Sequence, residues 1–299
     1  MANEEKRATE KILVFEPHPD DVAFQIAGSV RKWILEGREV MICTVTTGNN
    51  STFEMSVSAD RIKEVMMREH AVAMKILGID GKHLVQWGYD DLGLDPGRDR
   101  DALLRDMIKL IRTFRPMTVV TMDPRNMLNE ENPDHRAVAM TGFEAAAHAA
   151  VPNLYREQYG QAGVEQHFVS RVLLYMSPEP DTFVDIAGEP IETRIKLGFT
   201  YDSQLDLLIT EANRRLEGMG VDFPLFKMPK EHLWPMVCEQ IAEGFAQDCR
   251  KMYPERKDIK LAEAFRLQYL GVVEKVRNFL PKELQMAEIE RGENSLMRA

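Results

Sequence analysis

The chain has 299 residues, a formal net charge of −10, 44% hydrophobic and 29% charged residues, ordinary proportions for a globular protein and wrong for a fibre, a disordered chain or a disulfide scaffold. The acidic balance, with no basic cluster, speaks against nucleic acid as a partner. Met1 to Glu10 has no apolar core of signal-peptide type and no later stretch holds 18 consecutive apolar residues, so a cytoplasmic protein with no membrane partner is expected.

An apolar, partly β-branched run, Ile12 to Phe15, predicts a buried strand that stops at Pro17, His18, Pro19, Asp20 and Asp21. Helical spacing follows from Val22 to Glu36, with Gly37 as its stop, then a second strand from Glu39 to Thr46 and a polar loop from Thr47 to Thr52. Two strands and a crossover helix make a right-handed βαβ unit and begin a parallel sheet. A helix is predicted from Asp60 to Leu77, a strand from His83 to Trp87, and a loop from Gly88 to Gly97 leaving the same sheet end. A helix from Asp101 to Arg115, a strand from Thr118 to Met122, a loop to Pro133 and an Ala-rich helix from Asp134 to about Ala150 complete the regular part.

Strict alternation of strand and helix predicts an α/β fold: a Rossmann-like, doubly wound, mostly parallel sheet. The second half is less regular and predicts an elaborated C-terminal region. Strands are expected at Arg171 to Met176 and Thr182 to Ile186, helices at Ile191 to Gly198, Ser203 to Leu216 and Met236 to Met252, with an irregular excursion from Gly218 to Pro235. Ile259 to Phe265 reads equally as strand or helix entry, and Lys282 to Ala299 as a charged tail. The domain reading is a core over residues 1–205 and a mostly helical extension over 206–299 packed on the same domain. Cys43, Cys238 and Cys249 have no metal-knuckle spacing and read as buried thiols.

Chemistry collects at strand ends in open α/β sheets. His18, Asp21 and His135 together offer the nitrogen and carboxylate ligands that catalytic zinc takes while keeping one position open. Asp20, between His18 and Asp21, then points elsewhere and can take the proton of an attacking water. His135 lies in Asn132-Pro-Asp-His-Arg after a later strand, and Asp134 beside it can cap its helix or hold the second nitrogen of a histidine.

These stretches carry a resemblance. Pro-His-Pro-Asp-Asp-Val-Ala after the first strand, Pro-Asp-His-Arg-Ala-Val near residue 135, Thr-Val-Thr-Thr-Gly-Asn after the second strand and Ala-Met-Lys-Ile-Leu-Gly-Ile ending the second helix resemble the PIG-L/LmbE family of zinc-dependent de-N-acetylases. The resemblance covers about residues 11 to 205, and Ala262-Glu-Ala-Phe-Arg266 is similar to a frequent family ending. It implies zinc, or another divalent metal, on His18, Asp21 and His135, with Asp20 as general base. Two positions depart from the pattern: the family often has Glu after the two aspartates where this chain has Val22, and many members have a histidine where this chain has Asn132. That histidine is thought to stabilise the oxyanion; Asn132 can still donate a hydrogen bond but cannot supply a proton or a positive charge.

The expected function is removal of an N-acyl group, most simply acetyl, from an amino sugar or related small polar substrate. The alternative is a hydratase or lyase acting on an unsaturated organic acid, and a third reading is a sugar- or nucleotide-binding protein without catalysis. A Gly-x-Gly-x-x-Gly fingerprint is missing after the first strand, against dinucleotide binding. Arg68, Asp123 and Arg125 are further substrate-contact candidates, His70 reads as a half-buried packing residue, and a homo-oligomer is possible on family grounds.

Overall fold

In the computed structural model, residues 10–280 are described, and the charged tail expected over 282–299 lies outside them. The chain runs β1 (Lys11–Glu16), α1 (Asp21–Gln25), α2 (Ala27–Leu35), β2 (Glu39–Thr46), α3 (Ala59–Leu77), β3 (Leu84–Tyr89), α4 (Arg100–Phe114), β4 (Thr118–Met122) and α5 (Pro133–His148). It continues with β5 (Arg171–Tyr175), β6 (Thr182–Asp185), α6 (Glu189–Thr200), α7 (Asp202–Gly218), α8 (Lys230–Met252) and β7 (Ala262–Tyr269). The strands form one sheet in the order β3-β2-β1-β4-β5-β7-β6. The pairs among β3, β2, β1, β4 and β5 are parallel, and β7 runs antiparallel to both neighbours. This is the expected doubly wound, mostly parallel fold. Its strand order reverses between β1 and β4, which opens a crevice at their carboxyl ends.

Alternation along β1 sorts its side chains between two helical layers. Ile12 and Val14 join a core with α1, α2, α3, α6 and α8, whereas Leu13 and Phe15 pack with α4 and α5. All three cysteines are buried.

The single helix expected from Val22 to Glu36 is two, broken at Ile26 (φ −139°). The cause lies far along the chain: the buried Glu263 carboxylate of β7 accepts the Gly28 and Ser29 amides at 3.1 and 2.7 Å, satisfying free N–H groups of a new helix start. Arg194 of α6 neutralises that carboxylate at 3.1 Å.

The excursion expected from Gly218 to Pro235 is shorter, because α7 reaches Gly218 and α8 starts at Lys230 with Pro235 inside it. Trp234 explains why α8 begins early. Its indole lies where a Cβ on Gly198 would sit, 2.1 Å away, so only glycine lets α6 meet α8 at this crossing. The undecided stretch after Ile259 is β7, whose C-terminal half pairs with β5 and N-terminal half with β6. Residues beyond 205 thus supply a strand to the sheet as well as helices.

Candidate metal centre

The loop from β1 to α1 is tied to β2: Pro17 C=O accepts both the amide and the hydroxyl of Thr46, at 2.8 and 2.9 Å. Prolines 17 and 19 restrict the backbone on either side of His18. His18 donates its amide to Asp21 Oδ2 at 2.7 Å, so the two potential ligands of this loop set each other.

Across the crevice, Asn132 Oδ1 caps α5 by accepting the amides of Asp134 and His135 at 2.9 and 3.5 Å, with Pro133 at the first helical position. The cap presents Asp134 and His135 in the first turn. His135 Nε2 then lies 3.1 Å from His18 Nδ1 and 3.3 Å from Asp21 Oδ1, while Asp21 Oδ2 is 3.3 Å from His18 Nδ1. One ligand atom from each of the three residues falls within 4.8 Å of the others.

The outer nitrogens are occupied. His18 Nε2 sits 3.0 Å from Asp91 Oδ1 and 3.2 Å from Asp134 Oδ2. Glu130 Oε2 stands 3.2 Å from His135 Nδ1 as an ion-pair partner. With carboxylates on those sides, His18 Nδ1 and His135 Nε2 are left facing one another and Asp21, the arrangement in which carboxylates orient metal-binding imidazoles.

Asp91 is itself fixed, its Oδ2 accepting the Asn50 amide at 3.2 Å and its own amide donating to Asn49 Oδ1 at 2.7 Å. Asp134 accepts the amides of Leu92 and Leu94 at 2.7 and 2.9 Å. Leu92 adopts a left-handed φ of 57° to reach it, a conformation a leucine holds only where its surroundings impose it.

Charge in the cluster is lopsided. Burial opposes a proton on His18, but the Asp134, Asp21 and Asp91 carboxylates outweigh it and hold the ring well above the usual imidazole range. Burial likewise opposes charge on His135, yet Asp21 and Glu130 push it up to about 9. Burial would raise Asp21, and His135 and His18 instead hold it well below the usual carboxylate range. Asp20 moves the other way: burial and the neighbouring Asp21 push it up to about 7. Its side chain makes no capping bond to α1. A site that draws protons onto two imidazoles calls for positive charge, and a donor set of two nitrogens and a carboxylate fits a divalent cation.

The other sequence candidates are placed differently. Arg68 stands on the exposed side of α3, about 200° around the helix from the buried Met66 and His70, and does not join the cluster. Asp123 is buried at the end of β4, with Oδ1 accepting the Arg125 amide at 2.9 Å and Oδ2 the Ser177 hydroxyl at 2.6 Å. Arg125 bridges Asp123 and Glu179 at 3.2 and 2.6 Å. Asp123 and Glu130 do line a shallow cavity beside His135. His70 is fully buried rather than half-buried and hydrogen-bonded at both nitrogens, because α3 turns it onto the end of β2.

Sequence reasoning did not single out Asp91 or Glu130. The loop of Asp91 was assigned to the right sheet end, and its Asn49 and Asn50 props lie in the Thr-Gly-Asn stretch, but nothing in the order of residues tells which of Asp90 and Asp91 turns inward.

The sequence profile of the family described as "PIG-L: GlcNAc-PI de-N-acetylase" matches residues 13–146. The chain is 31% identical over 202 residues to diacetylchitobiose deacetylase of Thermococcus kodakarensis, covering 68% of this chain and 73% of that one. Among solved structures, N,N'-diacetylchitobiose deacetylase from Pyrococcus horikoshii superposes with a TM-score of 0.69 at 22% identity, over 88% of this chain and 85% of that one. The 4-carboxy-2-hydroxymuconate hydratase GalB from Pseudomonas putida superposes with a TM-score of 0.58 at 16% identity, over 87% and 97%. At such identities the two structures show a shared fold. The similarity to the Thermococcus protein extends through most of both chains, and on it the chain belongs to the PIG-L family of de-N-acetylases.

Proposed function

We propose that the chain is a divalent-metal-dependent de-N-acetylase that removes an acetyl group from an amino sugar or a related small polar amide. The observation that carries the reading is the convergence of His18 Nδ1, His135 Nε2 and the Asp21 carboxylate beside a second carboxylate, Asp20, that makes no cap bond. His18, Asp21 and His135 would hold the metal, with zinc the ion such sets commonly take and iron, cobalt or manganese compatible with the same donors. When bound, the ion supplies Lewis-acid polarisation of the amide carbonyl and makes water more acidic.

The chain's own groups do the rest. Asp20 accepts a proton from the attacking water as its oxygen bonds to the amide carbon, and returns that proton to nitrogen as the C–N bond breaks. Asn132 spends its Oδ1 on the helix cap, which leaves its amide hydrogens as donors to the developing oxyanion. Asp91, Asp134 and Glu130 keep the two imidazoles in the ligand tautomer. The amino-sugar class is supported by the printed activity of the Thermococcus relative. Among the described residues no helix is long and apolar enough to cross a membrane.

Purified protein is assayed for bound metal by elemental analysis and for acetate release from N,N'-diacetylchitobiose, with and without chelator. The expected result is about one divalent ion per chain and turnover that chelation abolishes and zinc restores. Absence of metal, or turnover of an unsaturated dicarboxylate in place of the acetamide, overturns the reading.

A further inference from the structure

The residues beneath the metal loop form a second polar assembly. Alternation along β1 turns Glu16 to the same face as Ile12 and Val14, where an apolar side chain is expected. Instead its carboxyl sits 2.6 Å from Thr44 Oγ1 of β2 and accepts the Val22 amide at 3.1 Å. Thr44 Oγ1 is 3.0 Å from His70 Nε2 of α3, and His70 Nδ1 is 2.7 Å from the Tyr201 hydroxyl at the junction of α6 and α7. Tyr201 donates to the Pro19 carbonyl at 2.5 Å. None of Glu16, Thr44, His70 and Tyr201 is more than 1% exposed.

The assembly starts and ends on the same short segment. Pro19 C=O and Val22 N–H are the backbone groups that flank Asp20 and Asp21, one bonded through Tyr201 and the other through Glu16. Four polar side chains buried from four elements are costly unless mutually satisfied, and an apolar set of the same shape would serve packing alone. This one closes on the backbone that aims two reacting-site carboxylates.

We propose that Glu16, Thr44, His70 and Tyr201 are positioning residues for the Asp20–Asp21 pair. The proposal deepens the reading of Asp20 and Asp21 as base and ligand, and rests on it. The Glu16 carboxyl reaches the backbone amide of Val22, the residue that follows Asp21.

The test compares Glu16→Ala and Tyr201→Phe. Hydrogen exchange of the residue 22 amide, read without metal, is expected to accelerate about tenfold or more in Glu16→Ala. Co²⁺ affinity, read from its d–d absorption, is expected to fall about tenfold in Glu16→Ala and about threefold in Tyr201→Phe. In Glu16→Ala and Tyr201→Phe, kcat for acetate release falls with KM held. Should Glu16→Ala not fold, Tyr201→Phe, which removes one hydroxyl, decides the question by the same affinity. Unchanged exchange in Glu16→Ala, or unchanged Co²⁺ affinity in both variants, overturns the proposal. A wild-type protein that takes up no Co²⁺ overturns the deacetylase reading instead, so the two failures are told apart.

Discussion

The ends of β1 and β4 both carry aspartates, one strand apart on the same edge of the sheet, in opposite electrostatic circumstances. Asp123 after β4 is met by the Arg125 guanidinium, the Arg125 amide and the Ser177 hydroxyl, and Arg125 passes on to Glu179. Asp20 and Asp21 after β1 meet no arginine or lysine among the described ion pairs; those of Asp21 are with the imidazoles of His18 and His135. A carboxylate whose charge is matched by a covalently fixed cation contributes to the fold. One left without such a partner, beside rings that can shed their protons, leaves room for an exchangeable ion.

Substitutions at the two ends can break that contrast. Asp20→Asn is expected to lower kcat about 10³-fold, with metal content unchanged, as loss of a general base does; steady-state kinetics beside elemental analysis reads this, and near-normal turnover would erase the distinction. A smaller effect is expected on stability under the β1 end. Burial pushes His70 down to about 4 from 6.5, so between those values the unfolded chain binds its proton and the folded chain does not. The contribution is therefore complete above about pH 6.5 and is lost as pH falls toward 4, about 3 kcal/mol in all. Urea unfolding across that window should show the slope in the wild type and a flatter one in His70→Gln.

Asp91→Asn is expected to weaken metal binding about tenfold, the usual size for a residue that orients a ligand histidine, with the fold intact by circular dichroism. Equilibrium dialysis measures it. At the β4 end, Asp123→Asn should cost about 1–3 kcal/mol of stability by weakening charge-assisted bonds, and leave kcat within about twofold. A large loss of turnover there would show that Asp123 acts on substrate after all.

How much of this was legible in the sequence divides along the same line. His18, Asp20, Asp21 and His135 were readable because each sits where a strand stops or a helix starts, and the period of the flanking residues fixes those points. Asp91 and Glu130 were not, since a loop's direction depends on what it is pinned to, and the pins are Asn49, Asn50 and the ring of His135. Glu16 gave a usable signal, a charge on the inward parity of an apolar strand, but its partners lie on three other elements. The α1–α2 break was invisible for a different reason: Glu263, which caps α2, stands near the far end of the chain. β7 stayed ambiguous because it changes partners midway, and each half answers to a different neighbour.

That last strand also orders events during synthesis. Among the described residues β6 pairs only with β7, so it waits unpaired until the ribosome has emitted the residues that follow α8. The same late residues bring Glu263 to the start of α2, the helix that continues from the motif loop. A chain interrupted before β7 would hold all four motif residues and still lack the strand that locks their neighbouring helix in register. β7 must therefore be made before the start of α2 gains its Glu263 cap.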